Sequence, residues 1–183
     1  IIYPIVMGWQ WGGGWLAELG FSDFAGSTLV HSTGGAAALA GIMLLGARSG
    51  RFDSKGQPKA LQPFAASSIP LVTIGVFILW LGWFGFNGGS QLALGTFDDA
   101  VAISSIFINT NLAACGGVMA AGIITRLMYG KTDVIQMLNG AIGGLVAITA
   151  EPLAPSPFAA ILIGAVGGLI VVFGTKLLFS FKL

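Results

Sequence analysis

One histidine occurs in the chain, His31, and it lies in DFAGSTLVHSTGG, residues 23–35, a stretch with no charge after Asp23. A neutral imidazole carries one donor and one acceptor. That suits a narrow path for a small polar molecule better than it suits holding a cation; the other reading is a structural histidine bonded to a neighbouring helix. Asp23 has the position of a helix N-cap, accepting from free N–H groups and complementing the helix dipole. At an outer mouth its charge would also concentrate cations. A second cluster lies in LWLGWFGFNGGS, residues 79–90, where Trp83, Phe86 and Ser90 fall at i, i+3 and i+7 on one helical face. Aromatic residues near a helix end form interfacial belts, but here a hydroxyl stands one turn beyond a phenyl ring on the same face. Trp9, Trp11 and Trp15 lie on the same outer side, and indole faces attract cations when water is partly removed. Ring, hydroxyl and buried imidazole together describe a mouth that gathers a small cation above a hydrophobic neck. The sequence offers no metal-ligand cluster, no Ser/His/Asp arrangement with a shared location and no cofactor motif, which argues against an intramembrane enzyme.

These side chains can meet only if membrane helices bring them together. Of 183 residues, 55% are hydrophobic and 8% charged, against about 25% charged in soluble domains; mean hydropathy is +0.90. Uncharged runs of 24, 38, 26, 17 and 24 residues follow Asp23, Lys59, Asp99, Asp133 and Glu151. About 20 apolar residues cross a hydrocarbon core of roughly 30 Å, and backbone groups in lipid must be satisfied within the segment, which selects helices. The runs predict an all-α polytopic bundle with five transmembrane helices near residues 24–46, 67–91, 101–129, 134–150 and 157–178, in one transmembrane domain over 1–183. Residues 1–11 read as the outer end of a further helix. With Asp23 as N-cap, His31 lies about 12 Å below the outer end of the first span, where ionisable groups are costly and face a bundle interior or a pathway.

Arg48, Arg51, Lys55, Lys59, Arg126, Lys131, Lys176 and Lys182 occupy alternate connections, and the intervening ones hold Glu18, Asp23, Asp98, Asp99 and Glu151 with no basic residue. The positive-inside rule places the basic connections in the cytoplasm, the first residue outside and the last inside. A net charge of +1, spread over cytoplasmic loops, gives no nucleic-acid footprint. GAIGGL at 140–145 returns as GAVGGL at 164–169. Each puts small residues four apart, Gly140/Gly144 and Gly164/Gly168, which lets helices approach closely in lipid; a duplicated pore element is the alternative. The lone Cys115 cannot form a disulfide within the chain and reads as a buried, inert thiol.

Several long motifs in order resemble the ammonium transporters of the Amt/Mep/Rh superfamily: YPIVMGWQWGGGWLAELG, DFAGSTLVHS, GWFGFNGGS, IFINTNLAACGGV and LNGAIGGLVAITAEPLAPSPFAAILIGAVGG. Ser27 and the WQWGGGW wording are most similar to the cyanobacterial and algal subgroup. The resemblance implies an eleven-helix fold with inverted five-helix halves, a homotrimer in the cell membrane, and transport of ammonium. It implies Trp11 and Ser90 as an outer recruitment site, Phe86 as one of two gate rings, and Trp83 lining the pore near His31, the first of a histidine pair. Asp23 would hold the outer site and helix start in place. Against that plan the chain runs from the end of the fourth helix to the end of the ninth, so a fragment of a longer protein is expected. An ammonium sensor coupled to signalling domains is the alternative function, and the basic loop ARSGRFDSKGQPKALQP is a candidate contact for a PII-type regulator or simply a solvated loop.

Overall fold

The computed structural model describes residues 1–53 and 66–182. Among these residues the regular elements are seven α-helices and one π-helical segment. In order they are α1 (Ile2–Gln10), α2 (Trp15–Glu18), the π segment Ser27–Ser32 running straight into α3 (Thr33–Leu45), α4 (Ile69–Gly89), α5 (Phe97–Tyr129), α6 (Val134–Ile148) and α7 (Pro157–Ser180). The polytopic helical bundle predicted from the uncharged runs is what forms. Among the described residues four spans are long and apolar enough to cross a membrane: Ser27–Leu45, Ile69–Gly89, Phe97–Tyr129 and Pro157–Ser180.

The remaining expected crossing, 134–150, is shorter than predicted. Helix α6 has 15 residues, or about 22 Å, against a core of roughly 30 Å. The cause is local. The Asn109 side-chain amide, buried on α5, donates to the carbonyls of Pro152 and Pro155 at 2.9 and 2.8 Å. That anchors the connection after α6 to the flank of α5, and the prolines within it cannot continue a helix. Helix α5 errs the other way: its 33 residues make about 50 Å, more than a bilayer core. It starts on a capping box in which the Thr96 hydroxyl accepts from the Asp99 N–H and the Asp99 carboxylate accepts from the Thr96 N–H. It ends at Gly130, whose φ of +71° is left-handed.

The core is the three-helix unit α5–α6–α7, and glycine makes it. A Cβ placed on Gly116 would strike the Ile161 carbonyl, one on Gly117 the Gly140 carbonyl, and one on Gly168 the Gly117 carbonyl. Gly144 and Gly164, from the two repeated hexapeptides, converge from opposite helices on the same carbonyl, that of Ala113. The repeats are therefore packing faces turned to one stretch of α5, as small residues in lipid permit. Helix α4 closes one flank by laying Trp83 against Ala114 of α5 and Leu145 of α6. Helix α3, in contrast, buries none of its residues.

One smaller expectation is corrected and another is not reached by the described residues. Cys115 is only partly buried; it lines an apolar groove of about 510 Å³ with Val76, Trp80 and Met119, because it sits on the α5 face turned towards α4. Residues 54–65, which carry Lys55, Lys59 and most of the loop considered for a PII-type contact, lie outside the described residues. The start of that loop is seated on the end of α7, with the Arg51 guanidinium 5.0 Å from the centre of the Phe179 ring and Phe52 at 5.6 Å from it.

The glycine contacts generate a test. Gly164→Val should lower stability by about 3 kcal/mol or more, the upper end for overpacking, because the obstacle is the backbone of α5. Gly174→Ala, with open space around it, should be neutral. Thermal melts of the two detergent-solubilised variants compare them directly, and similar melting temperatures would contradict the packing described.

Candidate functional site

The residues singled out by chemistry are gathered by one loop, 20–26, and two helix ends. Asp23 is 1% exposed, and its carboxylate is fully used. Oδ1 accepts from the Gly26 and Ser27 N–H groups at 2.9 and 3.0 Å, and Oδ2 from those of Thr28 and Leu29 at 2.7 and 2.9 Å. The first four orphan N–H groups of a helix are thus met by one side chain. Asp23 is not itself the N-cap, as the sequence suggested; Gly26 occupies that position with φ +110°, and the carboxylate reaches forward from three residues earlier. Neither the left-handed turn nor the space tolerates a larger residue, since a Cβ on Gly26 would fall 2.5 Å from Val30 Cγ2 and 3.2 Å from the Trp11 ring.

From Gly26 the helix opens in π form. The Gly26 carbonyl accepts from the N–H groups of both Val30 and His31, at 3.0 and 3.1 Å, and the Thr33 hydroxyl donates to the Thr28 carbonyl. Short π segments recur at functional sites, and this one carries His31. Because the helix begins at Ser27 and not at Asp23, His31 is at most about 6 Å from its start, half the depth predicted.

Three rings then converge. His31 stacks on Trp83 with centroids 4.8 Å apart and planes 27° from parallel; Phe86 is tilted against His31 at 5.6 Å and against Trp83 at 5.8 Å. His31 Nε2 is buried and has no hydrogen-bond partner. Phe86 is 39% exposed and Trp83 only 9%, so the phenyl stands outermost. One turn further, at the C-cap of α4, the Ser90 hydroxyl donates to the Phe86 carbonyl at 2.8 Å. Its hydrogen is committed, so towards any visitor the oxygen presents lone pairs only.

Trp11 reaches the same neighbourhood from the other side. Its indole N–H donates to the Asp23 carbonyl at 2.8 Å, and the ring is 40% exposed. The structure thus links Trp11 to His31 through Asp23 and Gly26, and Ser90 to His31 through Phe86; no hydrogen bond or ring contact joins Trp11 to Ser90 directly. Trp9 and Trp15, grouped with Trp11 in the sequence, pair with each other at 5.7 Å.

Sequence reasoning missed a polar network behind the rings. Trp83 Nε1–H donates to the Thr149 hydroxyl at 2.8 Å, which lies 3.2 Å from Asn87 Oδ1, and Asn87 Nδ2 donates to the Thr110 hydroxyl at 2.9 Å. Thr149, Asn87 and Thr110 are all completely buried. The Thr149 carbonyl also accepts from the Ala25 N–H, and that of Ala150 from the Phe24 N–H, so the Asp23 loop is docked on the end of α6. An asparagine one residue after Phe86 in an otherwise apolar helix was the available signal.

Membrane helices packed on glycine, a loop-capped π start and one imidazole stacked among aromatic rings define a polytopic membrane protein with a ring-lined polar site near a helix mouth. Residues 1–183 match the Ammonium Transporter Family throughout, and the chain belongs to it. It is 45% identical over 184 residues to ammonium transporter Amt2 of Archaeoglobus fulgidus, covering 95% of this chain and 38% of that protein. A putative ammonium transporter of Synechocystis is 46% identical, covering 97% of this chain and 40% of its own length. Among solved structures, one titled a sensor Amt protein superposes with a TM-score of 0.84 at 38% identity, over 94% of this chain and 42% of that one. The delta442 mutant of Candida albicans Mep2 does so with a TM-score of 0.79 at 32% identity, over 97% and 39%. The chain therefore spans about two fifths of the length of these relatives.

The carboxylate cradle makes a direct prediction. Asp23→Asn replaces an acceptor oxygen with a donor facing two N–H groups and should cost about 2–3 kcal/mol, the penalty for buried donors left unpaired. A lower melting temperature and a shifted tryptophan emission, from Trp11 losing its seat, are expected in detergent. An unchanged melt would mean the N–H groups find other acceptors.

Proposed function

We propose that the complete protein carries ammonium across a membrane, recruiting it as the cation and conducting it past His31 as ammonia. The observation that carries this reading is the pairing of an acceptor-only hydroxyl at the mouth with a buried imidazole nitrogen that has no partner of its own. An ammonium ion offers four donors and no acceptor. The exposed indole face of Trp11 would supply cation–π attraction and Ser90 Oγ a hydrogen-bond acceptor, which together form the recruitment site. Both are set by fixed bonds, to the Asp23 and Phe86 carbonyls, so little ordering cost falls on binding.

Beneath that site Phe86 acts as the gate. A bare cation beyond the ring would forfeit hydration in surroundings lined by Phe86 and Trp83, at a cost of several kcal/mol or more, so the proton leaves at or above the gate. Neutral ammonia then meets His31, whose imidazole can exchange a hydrogen bond without a net charge in the neck. Potassium is excluded because it has no proton to give up. Asp23 supports this by fixing the helix start and the Trp11 seat. On this reading no enzymatic step and no cofactor is involved. The protein is an integral membrane protein, with the cell membrane, an outside first residue, a cytoplasmic last one and a homotrimeric assembly as the proposed setting, and a PII-type protein as a regulatory partner at the basic loop.

A second reading has a specific support in the likeness to the structure titled a sensor Amt protein: the same site would bind ammonium and report it without net transport. Uptake separates the two. In cells lacking other ammonium transporters, the complete protein should restore growth on low ammonium. His31→Ala should reduce coupled uptake or admit potassium, and Ser90→Ala should raise the KM for ammonium about tenfold, the loss of roughly one charge-assisted hydrogen bond. Binding without uptake by the wild type would favour the sensor. Unaltered methylammonium uptake and potassium exclusion in His31→Ala would remove His31 from the path.

A further inference from the structure

We infer that Thr149, braced by Asn87, is a positioning residue whose task is to hold the Trp83 N–H away from His31, keeping His31 Nε2 open to the permeating molecule. The inference rests on the transport reading above and adds to it a residue bonded to the indole at the edge of the ring stack.

The indole nitrogen is a donor only, and a buried donor must find an acceptor. Two acceptors belong to side chains that touch the Trp83 ring. One is the Thr149 hydroxyl, at 2.8 Å. The other is His31 Nε2, on the ring stacked 4.8 Å away, buried and without a partner, which accepts in the tautomer protonated at Nδ1. An indole that turned to bond Nε2 would satisfy itself by occupying the nitrogen the path needs. In the observed arrangement it cannot, because Thr149 has already taken the proton donor and the indole shows His31 only its face.

Thr149 is well placed to win that competition. Its own hydrogen has acceptors at the Leu145 carbonyl, 2.6 Å away, and at Asn87 Oδ1, 3.2 Å away, which leaves its lone pairs turned to Trp83. Asn87 is fixed in turn by its bond to Thr110 of α5. The hydroxyl therefore sits on a frame drawn from α4, α5 and α6. The indole also packs on Ala114 and Leu145, so its orientation is decided by the hydrogen bond and by packing together.

A double-mutant cycle tests this in the complete protein reconstituted in liposomes, with uptake of radiolabelled methylammonium normalised to folded protein. Thr149→Val removes the acceptor at nearly constant shape. It should lower the maximal rate roughly tenfold, as one lost hydrogen bond of ordinary strength shifts a population, with KM little changed, and Thr149→Ser should restore it. In a Trp83→Phe background, where no N–H exists to cap His31, Thr149→Val should cause no further loss. An equal loss in both backgrounds, or no loss in either, would overturn the positioning role. Should the valine variant fail to fold, Thr149→Ala carries the same expectation in both backgrounds. Absence of uptake by the wild type would overturn the transport reading itself, and is distinguished by failing before any variant is compared.

Discussion

A helix that starts inside a membrane protein begins with four N–H groups and no water to meet them. The Asp23 carboxylate answers all four from one side chain, and the geometry of the site follows from that. Because the carboxylate reaches forward from a loop, the chain can turn at Gly26 in a left-handed conformation and still enter a helix without an unsatisfied donor. The same residue's carbonyl seats Trp11. Outer indole and inner imidazole are in this way referred to one residue, and their separation does not depend on the long helices behind them.

Those helices supply the other half of the frame. Ala113 on α5 is approached by Gly144 of α6 and Gly164 of α7, which brings three backbones into contact and leaves them little freedom to slide, since packed interiors are nearly incompressible. The end of α6 rises from that contact to Thr149 and Ala150, whose carbonyls receive the Asp23 loop. Rigid packing deep in the bundle is thereby transmitted to a loop at its edge. Helix α3 takes no part in this and buries none of its residues.

The helices were legible because charges are so few: Lys59 to Asp98 can hold only a crossing, and α4 lies inside it. His31, Trp83, Phe86 and Ser90 were legible as polar or aromatic exceptions with helical spacing. Three things were not. The truncation of α6 depends on a bond between Asn109 and a proline-containing connection more than forty positions away, and no local pattern announces it. The π form at Ser27–Ser32 has no residue signature apart from Gly26. Thr149 carries no signal of its own in the sequence, because its importance comes from Trp83, 66 positions distant. What periodicity cannot encode is which side chain from another helix will arrive.

The π segment has one further consequence. Its wide turn, with the Gly26 carbonyl bonded to Val30 and His31 alike, holds one residue more than an α turn needs. That residue is slack in the angular register. Removing one position between Ser27 and Ser32 would let the segment close to ordinary helix with the flanking turns still in register, because a π turn takes about one residue more than an α turn for the same rotation. In an ordinary α-helix the same loss would swing everything beyond it by about 100°. Here the wide turn absorbs the count, so the chain can change its length at the mouth without re-aiming α3.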